Sequence, residues 1–410
     1  MNVPYFRPSI GEQEKSAVNA VLNSGWLTTG QAVKRFEAQF AEYLGVPHAV
    51  AVNSCTAALH LALEATGIGP GAAVMVPTMT FAATAAVVLH TGGRPVLVDC
   101  DPATLCMDPD SLEAAIATWH GQETLKAIIP MHYGGQMADM DRLSKIASRA
   151  GLAVIEDAAH ALPAFSRESA GAPWRKVGTT SPLSCFSFYA NKCITTGEGG
   201  MVVSTDSELA DRVRMMSLHG LSKSAWSRFE SKGSWYYEIV APGFKYNLTD
   251  VAAAIGCAQL ENADLFAERR SAVAAMYTER LAGLVEFLET PTELSDRKSS
   301  WHIYPLRLRL ERLTIDRAEF INRLKQAGIT CTVHWMPLHL HPFYRQTYNY
   351  RASDYPVASA EWQRLISLPI FPSMSEQEVD YVCESIAAIV ADSRRSALTR
   401  TALATGTQGD

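Results

Sequence analysis

One lysine has neighbours that suit an amine nucleophile. Lys192 follows the apolar run 185–188, which predicts a strand, and precedes the glycine-rich turn 195–200 (TTGEGG). A lysine becomes a good nucleophile when burial or a neighbouring cation lowers its pKa. Glycines let the backbone approach a flat ligand closely. Taken alone, a lysine in a loop is more often an ordinary surface residue.

Two further side chains with acid–base chemistry lie upstream, at the end of another predicted strand. Asp157 ends the apolar run that begins at residue 152, and His160 follows three residues later. Ligands of open α/β sheets bind at the carboxyl ends of the strands. A carboxylate there could keep a pyridinium nitrogen protonated, which makes the ring an electron sink. The alternatives are a helix N-cap for Asp157 and a hydrogen-bonded, partly buried histidine for His160.

A third segment, residues 53–59 (NSCTAAL), joins a predicted strand to a predicted helix. Small hydroxyl residues at a helix N-terminus offer backbone N–H groups and the positive end of the dipole to a phosphate. The signal is weak alone, because every helix prefers such a cap. The sequence contains no G-x-x-x-x-G-K-[ST] loop, and no G-x-G-x-x-G opens a helix, which disfavours nucleotide-motif enzymes.

These segments belong to an alternating pattern of apolar strands and helices, which is typical of a mainly parallel sheet covered on both faces. The pattern predicts a long helix over residues 250–281 and, after it, a smaller α+β region with strands at 301–310 and 329–335. The predicted strands of the first part are 49–52, 73–76, 95–98, 127–130, 152–155, 185–188 and 201–204, and its helices are 56–65, 82–90, 111–119, 140–150 and 208–218. The later helices are predicted at 315–327, 356–365 and 375–391.

Composition limits the class of protein. The chain has 410 residues, 48% of them hydrophobic, and a formal net charge of -6, which disfavours a nucleic-acid binder. Its eight cysteines form no C-x-x-C pair, so neither a zinc site nor a redox motif is indicated. The N-terminus lacks a signal-peptide pattern, and no apolar run approaches the length of a membrane span. We therefore expect a cytoplasmic protein without a membrane partner.

Taken together and in order, the motifs resemble the nucleotide-sugar aminotransferase family, the DegT–StrS group. The resemblance extends from residue 25 to beyond residue 340. The segments that carry it are 25–30 (GWLTTG), 53–59 (NSCTAAL), 155–160 (IEDAAH), Ser187 with Phe188 and Lys192, 195–200 (TTGEGG) and 243–250 (GFKYNLTD).

The resemblance implies pyridoxal 5'-phosphate (PLP) as the cofactor and the type I fold of PLP enzymes, as in aspartate aminotransferase. That fold is α/β, with a large domain whose mainly parallel sheet is flanked by helices and a smaller C-terminal α+β domain. We place the large domain at residues 1–260 with an N-terminal arm, the small domain at 261–395, and a disordered tail at 396–410.

The resemblance also implies the roles of individual residues. Lys192 would form the Schiff base with PLP and shuttle the proton, and Asp157 would pair with the pyridinium nitrogen. A homodimer with shared active sites would follow if Asn247 reaches the phosphate of the other subunit. The other implied cofactor contacts are Thr56, the backbone of Cys55 and Ser187 at the phosphate, Phe81 stacked on the ring, and His160 near the ring oxygen.

The substrate side is less defined. Thr29, Glu198 and His334 are candidate substrate-binding residues. The cationic and aromatic runs 222–228 and 232–236 fit a nucleoside diphosphate or an ordinary surface loop. The three histidines in 334–341 (HWMPLHLH) could bind zinc only if the backbone brought them together, and we expect no metal.

We therefore expect transfer of an amino group from L-glutamate to a nucleotide-linked keto-sugar, favouring a UDP-linked 4-keto-6-deoxy sugar. The alternatives are an aminotransferase for a cyclitol or aminohydroxybenzoate precursor, a PLP-dependent sugar dehydratase, and a non-catalytic regulatory relative. The dehydratases replace the lysine with histidine, so Lys192 argues against them.

Overall fold

A computed structural model describes residues 1–221 and 237–395. The runs 222–228 and 232–236, and the tail 396–410, lie outside the described residues. None of the helices that are described has the length and apolar character needed to cross a bilayer. In chain order the described helices are α1 (Glu12–Ser24), α2 (Gln31–Leu44), α3 (Cys55–Ala65), α4 (Ala82–His90), α5 (Pro109–Ala117), α6 (Met140–Ala150), α7 (Ser207–Met216), α8 (Asp250–Glu261), α9 (Ala263–Leu281), α10 (Arg317–Gln326), α11 (Pro342–Tyr348), α12 (Pro356–Arg364) and α13 (Glu376–Ser393).

A seven-stranded sheet organises the larger part of the protein, in the order β1-β9-β8-β5-β4-β2-β3. β9 pairs antiparallel with both of its neighbours, while the other neighbouring pairs are parallel, so the predicted mainly parallel sheet is confirmed. In chain order the strands are β1 (His48–Val52), β2 (Ala72–Pro77), β3 (Arg94–Val98), β4 (Thr124–Ile128), β5 (Ala153–Asp157), β6 (Phe165–Ser166), β7 (Arg175–Lys176), β8 (Leu183–Ser187), β9 (Gly200–Ser204), β10 (Leu288–Glu289), β11 (Arg297–Lys298), β12 (Tyr304–Leu308) and β13 (Leu365–Leu368).

The strand sequences explain this arrangement. All six residues of β2 and all five of β9 are buried, as expected for strands covered on both faces. β5 and β8 run parallel in adjacent positions, with Asp157 opposite Cys185. Their carboxyl ends therefore meet at one edge of the sheet, where ligands of such folds bind.

A second hydrophobic cluster lies in the C-terminal part of the chain. It packs around the small sheet β10-β12-β13 and includes residues of α9, α10 and α13. Val3 from the N-terminus joins the same cluster and is fully buried. The chain start and the C-terminal region are thereby held together.

Two predicted elements are wrong. The helix expected over 250–281 is interrupted at Asn262, which ends α8 and precedes α9. The Asn262 amide donates to the carbonyl of Ala258 at 3.2 Å, and this side-chain bond competes with the regular helix.

The strand expected over 329–335 is reduced to two isolated bridges, Val3 with Ile329 and Thr332 with Ser367. The segment then leaves the sheet, and His334 and Trp335 line a cavity instead. Helices α1 and α2 were not predicted from the sequence.

Candidate active site

A cavity of about 460 Å³ lies at the carboxyl edge of β5 and β8. Such a volume is in the usual range for cofactor and small-molecule sites. Nine of the eleven residues singled out from the sequence line it: Cys55, Thr56, Phe81, Asp157, His160, Ser187, Lys192, Glu198 and His334.

Lys192 follows β8, and its backbone N–H donates to the carbonyl of Tyr189 at 2.9 Å. Burial lowers the pKa of the lysine to about 8, against the opposing effect of the nearby Cys55 and Asp157. An amine with that pKa has a sizeable neutral fraction just above neutral pH. Lys192 therefore has the property that a nucleophilic lysine requires.

Asp157 ends β5 and is 4% exposed. One carboxylate oxygen accepts from the hydroxyl of Thr84 at 2.8 Å, and the other from the backbone N–H of Ala159 at 3.2 Å. Burial raises the pKa of Asp157, while these two donors and Lys192 lower it. A buried carboxylate that borders a cavity suits a cationic ring nitrogen.

The N-terminus of α3 forms one wall of the cavity. The Ser54 hydroxyl caps the helix by accepting from Ala57 N at 3.1 Å. The first N–H groups of a helix have no intrahelical partner, so those of Cys55 and Thr56 are available to an anion. Gly200 lets the first strand residue of β9 lie close to the N-terminus of α3, because a Cβ at this position would lie 2.5 Å from the carbonyl carbon of Ser54.

The remaining predicted residues sit around this wall. Ser187 is the last residue of β8, so its hydroxyl lies at the same edge as α3. Phe81 precedes α4 and is 57% exposed, with its ring centroid 6.3 Å from that of Trp335. Glu198 is exposed at the opening. An aromatic face and polar groups thus meet around one space.

Histidines form the opposite side. The His160 ring is buried, its Nδ1 has no hydrogen-bond partner in the described part of the chain, and burial holds its pKa well below the usual value. His334 Nδ1 lies 2.8 Å from the Ser367 hydroxyl, and burial lowers its pKa to about 3. Both rings are therefore neutral at physiological pH.

Among the residues that sequence reasoning missed, three contact predicted residues of the site. His302 Nε2 lies 3.4 Å from Lys192 Nζ, Thr84 donates to Asp157, and Trp335 packs 5.0 Å from the His160 ring. Two of them carry a signal in retrospect. Thr84 is the one hydroxyl in an otherwise apolar stretch of α4, and His302 interrupts an apolar run before β12.

Thr29 and Asn247 do not line this cavity. They line a second cavity of about 810 Å³ and contact each other, since Asn247 Nδ2 donates to Thr29 Oγ1 at 2.7 Å. Asn247 also forms an antiparallel bridge with Val52 at the end of the edge strand β1. Within one chain, these two residues therefore line a different cavity from that of Lys192.

The residues around the first cavity fit PLP. The α3 N-terminus and the Ser187 hydroxyl are donors for a phosphate, and Asp157 is an anion for a pyridinium nitrogen. Lys192 supplies the amine. The unpartnered, buried Nδ1 of His160 is a polar atom that a bound group could satisfy.

Comparison with known proteins also indicates a PLP enzyme, and the similarity extends along nearly the whole chain. Residues 8–387 match the DegT/DnrJ/EryC1/StrS aminotransferase family. The chain is 44% identical over 392 residues to the spore coat polysaccharide biosynthesis protein SpsC of Bacillus subtilis (strain 168), covering 95% of this chain and 97% of SpsC.

Solved structures agree. Spr1654 of Streptococcus pneumoniae, named as a sugar aminotransferase, superposes in its PMP form with a TM-score of 0.86 at 32% identity, covering 95% of this chain and 100% of that one. It has also been solved in a PLP form. PseC of Helicobacter pylori, an aminotransferase involved in the biosynthesis of pseudoaminic acid, gives a TM-score of 0.83 at 28% identity, with 96% and 100% covered.

The family match, the identity to SpsC and the structural likeness to Spr1654 each extend along nearly the whole chain, and the cavity contains the groups that the cofactor of such enzymes needs. The protein belongs to the DegT/DnrJ/EryC1/StrS aminotransferase family and is a PLP-dependent sugar aminotransferase.

Proposed function

We propose that the enzyme transfers the amino group of L-glutamate to the keto group of a nucleotide-linked sugar, in the biosynthesis of amino sugars for a cell-surface polysaccharide. The observation that carries this proposal is the meeting of Lys192 and Asp157 in one cavity, with a lysine pKa of about 8. An amine base and a buried carboxylate are the two groups that amino transfer requires from the protein.

Lys192 moves the proton. PLP, when bound, supplies a conjugated pyridinium ring that takes up the electron pair released at the substrate carbon. With PLP bound, the neutral amine of Lys192 would take the proton from that carbon and return it on the cofactor side, and it would do the reverse in the second half of the reaction. Asp157 holds the ring nitrogen in its protonated form, and Thr84 keeps the carboxylate oriented.

The N-terminus of α3 would hold the cofactor phosphate. Its donors would be the first N–H groups of α3, from Cys55 and Thr56, with the hydroxyls of Thr56 and Ser187, and all three residues line the cavity. Hydrogen bonds to a dianion are stronger than those to neutral groups. His160 and Phe81 also line the cavity, where His160 would lie beside the cofactor ring and Phe81 would offer an aromatic face for stacking.

Glu198 and His334 both line the cavity and are our candidates for contact with the sugar. Thr29, which contacts Asn247, would reach the sugar in the active site of the other chain of a homodimer. The runs 222–228 and 232–236 are our candidates for contact with the nucleotide, on the composition of the sequence alone.

We propose a homodimer in which each active site takes Asn247 from the other chain. In support, Asn247 and Thr29 lie outside the cavity of their own chain and line a second cavity. Trp26 and Leu27 are exposed and lie close to Thr29 in sequence. Exposed apolar and aromatic side chains of this kind are often buried at subunit interfaces.

The domain division at residue 260 and the cytoplasmic location are also proposals. The second hydrophobic cluster, most of which comes from residues 273–390, supports a separate C-terminal domain. All eight cysteines are unpaired, which fits a reducing compartment.

The favoured acceptor is a UDP-linked 4-keto-6-deoxy sugar, and the names of SpsC and PseC support polysaccharide or acidic-sugar biosynthesis as the setting. The test is incubation with glutamate and a panel of UDP-, dTDP- and GDP-linked keto-sugars, with mass spectrometry of the products. We expect an amino-sugar and 2-oxoglutarate in equal amounts. Amination of a cyclitol or aminohydroxybenzoate precursor alone, dehydration of the sugar, or no turnover with any acceptor would each refute the proposal.

A further inference from the structure

We propose that His302 is a positioning residue for Lys192, whose amine it holds by accepting a hydrogen bond at Nε2 whenever the lysine is not bonded to the cofactor. The inference rests on the proposed role of Lys192 as the proton carrier. His302, from the C-terminal part of the chain, would assist Lys192 in that role.

The contact joins Lys192 Nζ to His302 Nε2 at 3.4 Å, and no other hydrogen bond of Nζ is formed with the described residues. With a pKa of about 8, Lys192 is an ammonium at neutral pH, so it has three donors and no acceptor. Burial holds the pKa of His302 well below the usual value, so its ring is neutral. While Lys192 is an ammonium, the imidazole therefore accepts at Nε2 and carries its proton on Nδ1, a buried atom with no hydrogen-bond partner among the described residues.

His302 is fixed in place from two directions. The next residue, Ile303, donates its N–H to the carbonyl of Gly134 at 3.2 Å. Arg270 of α9 is 3% exposed, and its Nη1 donates to the carbonyls of Trp301 and His302 at 3.4 and 3.5 Å. The backbone that carries the imidazole is therefore hydrogen-bonded to Gly134 of the larger part of the protein and to Arg270 of α9.

Such a contact has a consequence for proton transfer. A neutral amine has two N–H bonds and one lone pair. If one N–H is held by His302, the lone pair is restricted to the two remaining positions around Nζ, neither of which points at the imidazole. Such a restriction of the lone pair lowers the entropic cost of reaching the substrate carbon.

The test measures the protonation of Lys192 in the full-length protein freed of cofactor, by trace labelling with an amine-reactive reagent from pH 6 to 11 and mass spectrometry of the peptide. His302→Leu removes the acceptor, whereas His302→Gln keeps one at similar reach. The groups that face Nζ in addition to His302 are Cys55, Asp157, His160, Cys193, Arg270 and His334, and all stay unchanged in both variants.

We expect the labelling pKa of Lys192 to fall by about one unit in His302→Leu, since a hydrogen bond to a charged group is lost. His302→Gln should restore a value close to that of the unsubstituted protein. Lys176, which donates to the carbonyl of Tyr43 at 2.6 Å, serves as the internal control and should keep its profile. An unchanged or raised pKa of Lys192 in His302→Leu would overturn the proposal.

If His302→Leu fails to fold, as an altered Lys176 profile would reveal, His302→Asn replaces it, because its shorter side chain stops short of Nζ. The labelling pKa of Lys192 must then be lower in His302→Asn than in His302→Gln, and equal pKa values would overturn the proposal. In the holoenzyme, His302→Leu should lower kcat about tenfold with little change in the KM for glutamate. The labelling needs neither substrate, so its outcome and that of the sugar panel are independent.

Discussion

Removal of the negative charge of Asp157 should slow amino transfer strongly while changing the structure little. Asp157→Asn has the same shape, and its amide can keep the bond from Ala159 N through its oxygen. The amide NH2 would then face Thr84, whose hydroxyl can accept it and turn its own proton to Thr80 Oγ1, 2.7 Å away. The fold and cofactor binding through Lys192 should therefore survive.

What is lost is the attraction between the carboxylate and a ring cation. Two unit charges about 4 Å apart interact by roughly 4 kcal/mol at an effective dielectric constant of about 20. That energy corresponds to about three orders of magnitude in rate. Asp157 is 4% exposed, so solvent screens the pair weakly.

The assay is the half-reaction with glutamate in a stopped-flow spectrometer, followed by the loss of visible absorbance under single-turnover conditions. We expect Asp157→Asn to bind PLP and to react about 1,000-fold more slowly. The matched control is Asp99→Asn. Asp99 is also a buried aspartate after a strand, but it accepts from the backbone of Val357 and Ala358 and does not line the cavity.

The control should lower the melting temperature and leave the half-reaction rate within about twofold of the unsubstituted enzyme. A rate for Asp157→Asn within about tenfold of that of the unsubstituted enzyme would refute the reasoning. Asp157 would then have a capping role only.

Three further predictions concern the assembly, the phosphate site and the buried lysine. Mixing Lys192→Ala with Asn247→Ala should partly restore activity after subunit exchange, which tag pull-down verifies; activity that stays at the level of the parents despite exchange would exclude shared sites. Gly200→Ala should weaken PLP binding at least tenfold in a fluorescence titration, because its Cβ would meet the Ser54 carbonyl at 2.5 Å and Cys55 N at 2.7 Å; unchanged affinity would exclude this contact as essential. The folded pKa of Lys192 lies near 8 and the unfolded one near 10.5, so the unfolded chain binds more protons in that window. The cofactor-free protein should therefore gain stability relative to Lys192→Met between pH 8 and 10.5 in urea unfolding, and a constant difference would contradict the lowered pKa.

The sequence was sufficient for the sheet and for most of the cavity, for a physical reason. Buried parallel strands are continuous apolar runs, so their ends can be located, and side chains that follow those ends meet at one edge. Asp157 was predicted in this way and Ser187 from the family resemblance, and the structure brings both to the cavity. Strand order is not encoded in such local patterns, and the position of β1 beside β9 had to be observed.

The remaining features depend on contacts between distant parts of the chain. His302 reaches Lys192 across 110 residues of sequence, and nothing near either residue indicates the pair. The departure of residues 333–335 from the predicted strand depends on the cavity that His334 and Trp335 complete. Packing against another segment overrides local strand preference in such places.

We infer above all that Lys192 is the amine that bonds to the cofactor. The most direct measurement is reduction of the PLP-loaded protein with borohydride, followed by tryptic digestion and mass spectrometry of the pyridoxyl-labelled peptide. We predict loss of the visible absorbance band and a single label on Lys192, with none in Lys192→Ala. A label on another lysine, or a label that persists in Lys192→Ala, would contradict the account.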